Sequence, residues 1–181
     1  MKIILLFIAL VSSVFGLSIN ESMLKVHSVL VPKISLMDYK IQDKLTNNTI
    51  KIAIAYTSGE YKYASSLKNK IDNRYKNGIK TYKVVTELVR YKNINNVNAN
   101  IYYLFPSSKN NIKSTIKQAY KNHALTFSYL KDDLKHGVMI SLDIARKIKT
   151  VLNLDAVKRY EISLRPILIE ISDMYRAKNE I

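Results

Sequence analysis

Twice in this chain a short apolar run rich in β-formers is followed at once by residues that start a helix. Ile50 to Tyr56 (IKIAIAY) alternates and then becomes apolar on both faces, as a buried strand should. Thr57-Ser58-Gly59-Glu60 comes next, with Thr and Glu three apart in a capping-box spacing, and Ala64, Leu67, Ile71 and Tyr75 then line one helical face up to Gly78. Ile101 to Phe105 (IYYLF) is followed by Ser107-Ser108-Lys109 and by Ile112, Ile116, Ala119 and Tyr120 at helical spacing. Strands joined by crossovers of this length imply a mostly parallel sheet with helices on both faces.

The remaining segments fill in this frame. Met23 to Lys44 carries apolar residues whose later members recur at helical spacing, with Pro32 placed to kink or divide the helix. Ile79 to Val85 (IKTYKVV) reads as the second strand and Ala124 to Leu130 as the fourth, while Thr86 to Asn100, with its five asparagines, reads as a short element and a surface loop. Lys131 to Gly137 is a polar turn. Val138 to Leu142 and Lys147 to Leu152 flank Asp143-Ile144-Ala145-Arg146 as an antiparallel hairpin on the sheet edge. Asn153 is placed to cap a helix over Leu154 to Tyr160, and Ser163 to cap a last helix with Pro166 in its first turn and a core stripe of Leu164, Ile167, Leu168, Ile171, Met174 and Tyr175. The expected fold is a single three-layer α/β domain: a mostly parallel sheet, helices on both faces and an antiparallel edge hairpin.

Met1-Lys2, the apolar run Ile3 to Val11 and the small residues Ser12 to Gly16 have the layout of a secretory signal peptide, with cleavage expected after Gly16. Residues 17–181 then form the one domain, and the expected compartment is the periplasm. The chain has no cysteine, which removes disulfides, thiolate metal sites and a Cys nucleophile together. Lys and Arg number 29 against 14 Asp and Glu, a formal +15, but the basic residues alternate with apolar positions over the whole length. That distribution describes a solvated basic surface, not a nucleic-acid face, and no nucleic-acid partner is expected.

Residue types that carry chemistry are not gathered. His27, His123 and His136 stand far apart with no metal-ligand spacing and read as capping or surface residues. Asp132-Asp133 is the only adjacent carboxylate pair and reads as the solvation of a polar turn. With four glycines and no phosphate-binding or nucleophile motif, neither a cofactor nor catalysis is expected. The candidate ligand site is Thr57, Ser58 and Gly59 together with Ser107, Ser108 and Lys109, two helix starts that a parallel sheet places along its carboxyl edge, where a small anionic ligand would meet free N–H groups. Helix capping alone accounts for both sets as well.

The last third carries a resemblance. Leu125-Thr126-Phe127-Ser128, then His136-Gly137 before Val138-Met139-Ile140, a strand closing on Val151-Leu152-Asn153, and Ile162-Ser163-Leu164-Arg165-Pro166-Ile167-Leu168 follow one another in an order that resembles the YfiR-like family of periplasmic proteins. The resemblance implies a small α/β sensor or regulator, often self-associating, that acts on an inner-membrane signalling protein such as a diguanylate cyclase or sensor kinase. The family's cysteines are absent, and the aromatic-Pro ending of its first helix is replaced by Leu36-Met37-Asp38-Tyr39-Lys40. No disulfide is carried over. Beside the regulator reading stand a periplasmic small-ligand binding domain related to transport receptors, an enzyme of unknown mechanism, and a nucleic-acid binder.

Overall fold

The computed structural model describes residues 19–144 and 147–176. The signal-peptide reading of residues 1–16 and the Ala145-Arg146 tip of the hairpin lie outside the described residues. Asn20 opens helix α1 (Glu21–Ser35), its side chain accepting the Ser22 N–H at 2.7 Å, and the helix runs through Pro32 without dividing. The chain then alternates: β1 (Thr49–Tyr56), α2 (Tyr61–Arg74), β2 (Lys83–Arg90), β3 (Ile101–Leu104), α3 (Lys109–Lys121), β4 (Leu125–Ser128), β5 (Ile140–Ile144), β6 (Ile148–Leu152), α4 (Leu154–Arg159), α5 (Pro166–Glu170) and β7 (Asp173–Met174). The sheet order is β2-β1-β3-β4-β5-β6-β7, parallel throughout except for the antiparallel β5-β6 hairpin. The expected α/β architecture stands, with the two-residue β7 added outside the hairpin.

Alternation along the central strands divides the core in two. Ile50, Ile52, Ile54, Ile101, Tyr103 and Phe127 face α1 and α2, whereas Ala53, Ala55, Tyr102 and Leu104 face α3 and the 3₁₀ segment Tyr91–Asn96. Both sets are buried, which is why β1 and β3 read as continuous apolar runs. Cross-strand register stacks aromatic rings between neighbouring strands: Tyr103 lies opposite Phe127 with centroids 5.7 Å apart, and Phe105 stacks on Tyr129 at 6.0 Å.

Three expectations are corrected. The second strand begins at Lys83, not Ile79, because Ile79 and Tyr82 spend their N–H and C=O groups on each other at 2.9 and 3.0 Å, and it continues through Thr86–Arg90, the start of the stretch expected to hold a separate short element and a surface loop. The tight turn before it depends on Gly78: its φ is +79°, and a Cβ there would lie 2.2 Å from the Tyr82 carbonyl oxygen. Ser163 does not cap the last helix. Its carbonyl accepts the Tyr39 N–H at 2.7 Å, and Arg165 takes the cap position before Pro166.

The third correction concerns the last helix, which stops at Glu170. The Ser172 hydroxyl folds back on the Leu168 carbonyl at 2.6 Å, and the chain turns to lay Asp173 and Met174 on β6, where Tyr175 N–H reaches the Leu152 carbonyl at 2.7 Å. Only Leu164 and Leu168 of the expected stripe are buried, while Ile167 is 52 % and Ile171 64 % exposed. Free backbone groups on β6 outcompeted about one and a half further helical turns. Leu168→Ala is therefore expected to cost about 2–5 kcal/mol, whereas Ile167→Ala and Ile171→Ala stay within about 0.5 kcal/mol. Urea unfolding of the three variants measures this, and equal losses at all three would overturn the assignment.

Candidate functional site

The carboxyl edge of the sheet holds the residues singled out from the sequence. The order reverses between β1 and β3, so α2 leaves toward one face and α3 toward the other, which makes the gap between them the topological switch point of the sheet. Thr57-Ser58-Gly59 and Ser107-Ser108-Lys109 both end up along this edge, tied by the Phe105 N–H donating to the Ala55 carbonyl at 3.0 Å. The Glu60 carboxylate accepts from the Thr57 N–H at 3.2 Å and from its hydroxyl, closing the capping box. Ser108 accepts the Asn111 N–H at 3.4 Å, and Ser107 accepts from the Asn111 side-chain amide at 2.8 Å. Ser58, Gly59 and Lys109 remain exposed. Glu60 sets a negative charge beside one helix start and Lys109 a positive charge beside the other.

The neighbouring carboxylates separate in role. Asp132 is solvated and pairs loosely with Lys135 at 3.7 Å, but Asp133 is buried and accepts from the Ser128 hydroxyl, so it pins the end of β4 instead of solvating a turn. Burial pushes its carboxyl above the usual carboxylate range. The segment Lys131–His136 around it is a 3₁₀ helix closed by Gly137 at φ 101°. His123 is exposed and His136 half-buried, and among the described residues no group of three His, Asp or Glu side chains is placed to hold a metal ion.

A surface the sequence did not disclose lies between α1 and the hairpin. Val26, Val29 and Leu30 of α1, Ile148 and Thr150 of β6, and Ile171 after α5 line a cleft of ≈510 Å³ with Lys149 at its rim. Ile148 is 51 % exposed, so with Ile171 it leaves branched apolar side chains open to water at one place. The premature end of α5 creates this surface. Sequence periodicity had placed Ile171 in the core because the helical pattern continues past the point where β7 takes over.

The YfiR/HmsC-like family model matches residues 35–173. The chain belongs to this family. Among solved structures, this YfiR/HmsC-like chain is similar to a conserved domain protein of Vibrio cholerae O1 biovar El Tor, with 14 % identity and a TM-score of 0.57 over 84 % of the chain and 60 % of the Vibrio protein. It is also similar to the ABC domain, in complex with L-Trp, from Streptococcus pneumoniae, with 10 % identity and a TM-score of 0.50 over 78 % of the chain and 60 % of that protein. At these identities the likeness is one of fold, and the chain spans 60 % of the length of each. No curated protein matches it.

His27 is not a surface residue. It is fully buried where α1 crosses the aromatic ladder, within 5.4–5.6 Å of the ring centroids of Tyr103, Phe127 and Tyr129. Nδ1 shares a 2.7 Å hydrogen bond with the Tyr103 hydroxyl, and Nε2 has no partner. The available signal was its place on the buried face of α1, three residues after Leu24 and four before Val31. Desolvation holds the imidazole neutral and lowers its pKa from 6.5 to about 4. Above pH 6.5 both folded and unfolded chains carry a neutral His27; as pH falls the unfolded chain takes up the proton first, so stability is lost from about pH 6.5 down to about pH 4. Denaturant titrations at pH 7 and pH 4.5 are expected to show a loss in the wild type larger than that in His27→Gln by on the order of 2 kcal/mol. Parallel behaviour of the two proteins would remove His27 from the acid response.

Proposed function

We propose that this YfiR/HmsC-like protein is an exported, non-catalytic regulator that works in the periplasm by binding an inner-membrane signalling protein, a diguanylate cyclase or a sensor kinase. The observation that carries the reading is the α1/β6 cleft: Val26, Leu30, Ile148 and Ile171 form an open apolar surface, whereas Thr57 and Ser108 at the strand ends are occupied by capping. Family membership and the leader-like layout of residues 1–16 support the same reading. A regulator needs a surface of this kind, since apolar anchors set in a polar rim supply most of the affinity of a protein contact. In cells lacking the gene, the wild-type chain is expected to restore cyclic-di-GMP level or kinase-dependent reporter output, while Ile148→Asp/Ile171→Asp, which changes only exposed side chains and keeps the wild-type melting temperature, does not. A fully active, folded double variant would rule out this surface as the contact.

A second reading, a periplasmic small-ligand binding domain related to transport receptors, is favoured by one arrangement. Ser58 and Ser107 lie at the switch point, where α/β folds bind ligands, and Lys109 offers a charge for a small anion. Under this reading a thermal-shift screen against nucleotides, amino acids and small carboxylates yields a stabilising compound whose effect disappears in Ser58→Phe/Ser107→Phe. A compound that stabilises both proteins equally places the ligand elsewhere, and turnover of any compound would sink the non-catalytic assignment.

A further inference from the structure

Helix α3 carries a row of lysines and no acid. Lys109, Lys113, Lys117 and Lys121 recur at i,i+4 spacing and are all exposed, on the side away from the buried Ile112, Ile116 and Ala119. At the α-helical rise the row is about 18 Å long. Helices α1, α2 and α4 each set a carboxylate four residues from a cation: Glu21 before Lys25, Asp72 bonded to Lys68, and Asp155 before Arg159. In α3 every such neighbour within the row is a like charge, which by itself weakens a helix. Among the described residues none of the four lysines makes an ion pair. Tyr120, 46 % exposed, sits between Lys117 and Lys121 in the chain with its ring centroid 5.2 Å from that of Tyr160. The 3₁₀ segment Tyr91–Asn96, tied to α3 by the Ser114 hydroxyl donating to Asn95 at 3.2 Å, adds exposed Lys92 and no acid. Asp132, in the Lys131–His136 segment that also touches α3, is already offset by Lys135 at 3.7 Å.

We propose that the α3 row docks on an anionic lipid surface, with the lysine ammoniums against head-group phosphates and Tyr120 at the level of the head groups. A line of exposed cations on the convex side of a helix fits a plane of negative charge, and each lysine near such a plane adds to the attraction. The long stems lie along the interface while the ammoniums stay in water. Four lysines and no arginine supply mobile point charges, not planar forks, so the row suits a fluid array of head groups better than the fixed carboxylates of a folded partner. A nucleic-acid strand would ask for ring faces open to its bases, whereas the Tyr120 ring leans on Tyr160. Tyrosine beside lysine is instead the composition of protein surfaces at the head-group layer. The row lies on the opposite face of the sheet from the α1/β6 cleft, because α3 packs over Ala53, Ala55, Tyr102 and Leu104 and α1 over the other set. A chain held on lipid by α3 therefore keeps that cleft turned away from the bilayer, and docking on lipid is independent of the regulator reading.

Flotation of the purified protein with lipid vesicles tests this without any partner protein. Binding to phosphatidylcholine vesicles containing about 30 % phosphatidylglycerol is expected to be about tenfold or more tighter than to phosphatidylcholine alone, and to fall as salt is raised. Lys113→Glu/Lys117→Glu is expected to weaken it by about a factor of ten or more, and Lys113→Gln/Lys117→Gln by a smaller factor in the same direction. Lys25→Glu/Lys62→Glu, the same change in net charge made at exposed positions in α1 and α2 on the other face, is expected to bind within about threefold of the wild type. Unchanged melting temperatures separate these effects from misfolding. The chain has no tryptophan, so Tyr120→Trp places a single reporter beside the row, and its emission is expected to shift to the blue on the anionic vesicles only. Equal losses in the α3 and α1/α2 charge reversals would assign the binding to net charge and overturn the proposal. So would equal binding to both vesicle types, an unshifted tryptophan on vesicles that hold the protein, or tighter binding per unit charge to polyglutamate or oligothymidylate than to the anionic vesicles.

Discussion

The constraint on which the rest of the molecule depends is that β1, β3 and β4 are buried on both faces. A parallel strand cannot be joined to its neighbour by a tight turn, so each connection crosses a face, and each crossing brings an apolar helix stripe to cover it. Ala53 and Ala55 leave room beneath Tyr102 and the 3₁₀ segment, while Ile50, Ile52 and Ile54 fill the space under α1 and α2. Once these strands are in register, the helix starts at Thr57 and Ser108 fall on the same edge, and the aromatic pairs Tyr103–Phe127 and Phe105–Tyr129 form a platform for α1. The switch point and the His27 environment both follow from that register.

The sheet edges govern what is left exposed. At one end β6 needs a neighbour, and the chain beyond Glu170 gives up helix to supply one, which turns Ile167 and Ile171 outward and opens the cleft against α1. At the other end β2 has, among the described residues, no strand neighbour on its outer side. The two edges thus face the same physical demand, the pairing of strand backbone groups, which the chain meets at β6 with its own β7.

Polar groups inside the domain repeat this logic on a smaller scale. Asp133 is tolerated in a buried position because Ser128 donates to it, and His27 because it is kept neutral and bonded to Tyr103. Both are set by burial, and neither is part of a catalytic constellation among the described residues. The capping residues at Thr57 and Ser108 likewise satisfy the backbone of the helices they begin.

Much of the fold was legible in the residue pattern, because a strand buried on both faces and a helix with one apolar stripe have periods that survive without tertiary context. The β1 and β3 runs, the α3 stripe, the capping box at Thr57 and Asn153 as the cap of α4 are local signals, and so is the order of features that links the last third to the YfiR/HmsC-like family. What the sequence did not display was decided by contacts distant along the chain. The turn at Ile79–Tyr82 moved the start of β2, and the unpaired edge of β6 overrode a helical periodicity that ran on to Tyr175. The aromatic ladder took His27 from the surface into the core, and Ser128 did the same for Asp133. Local spacing determined which segments were strand or helix; only the three-dimensional competition for hydrogen bonds and buried area decided where each one ended and which apolar side chains stayed in water.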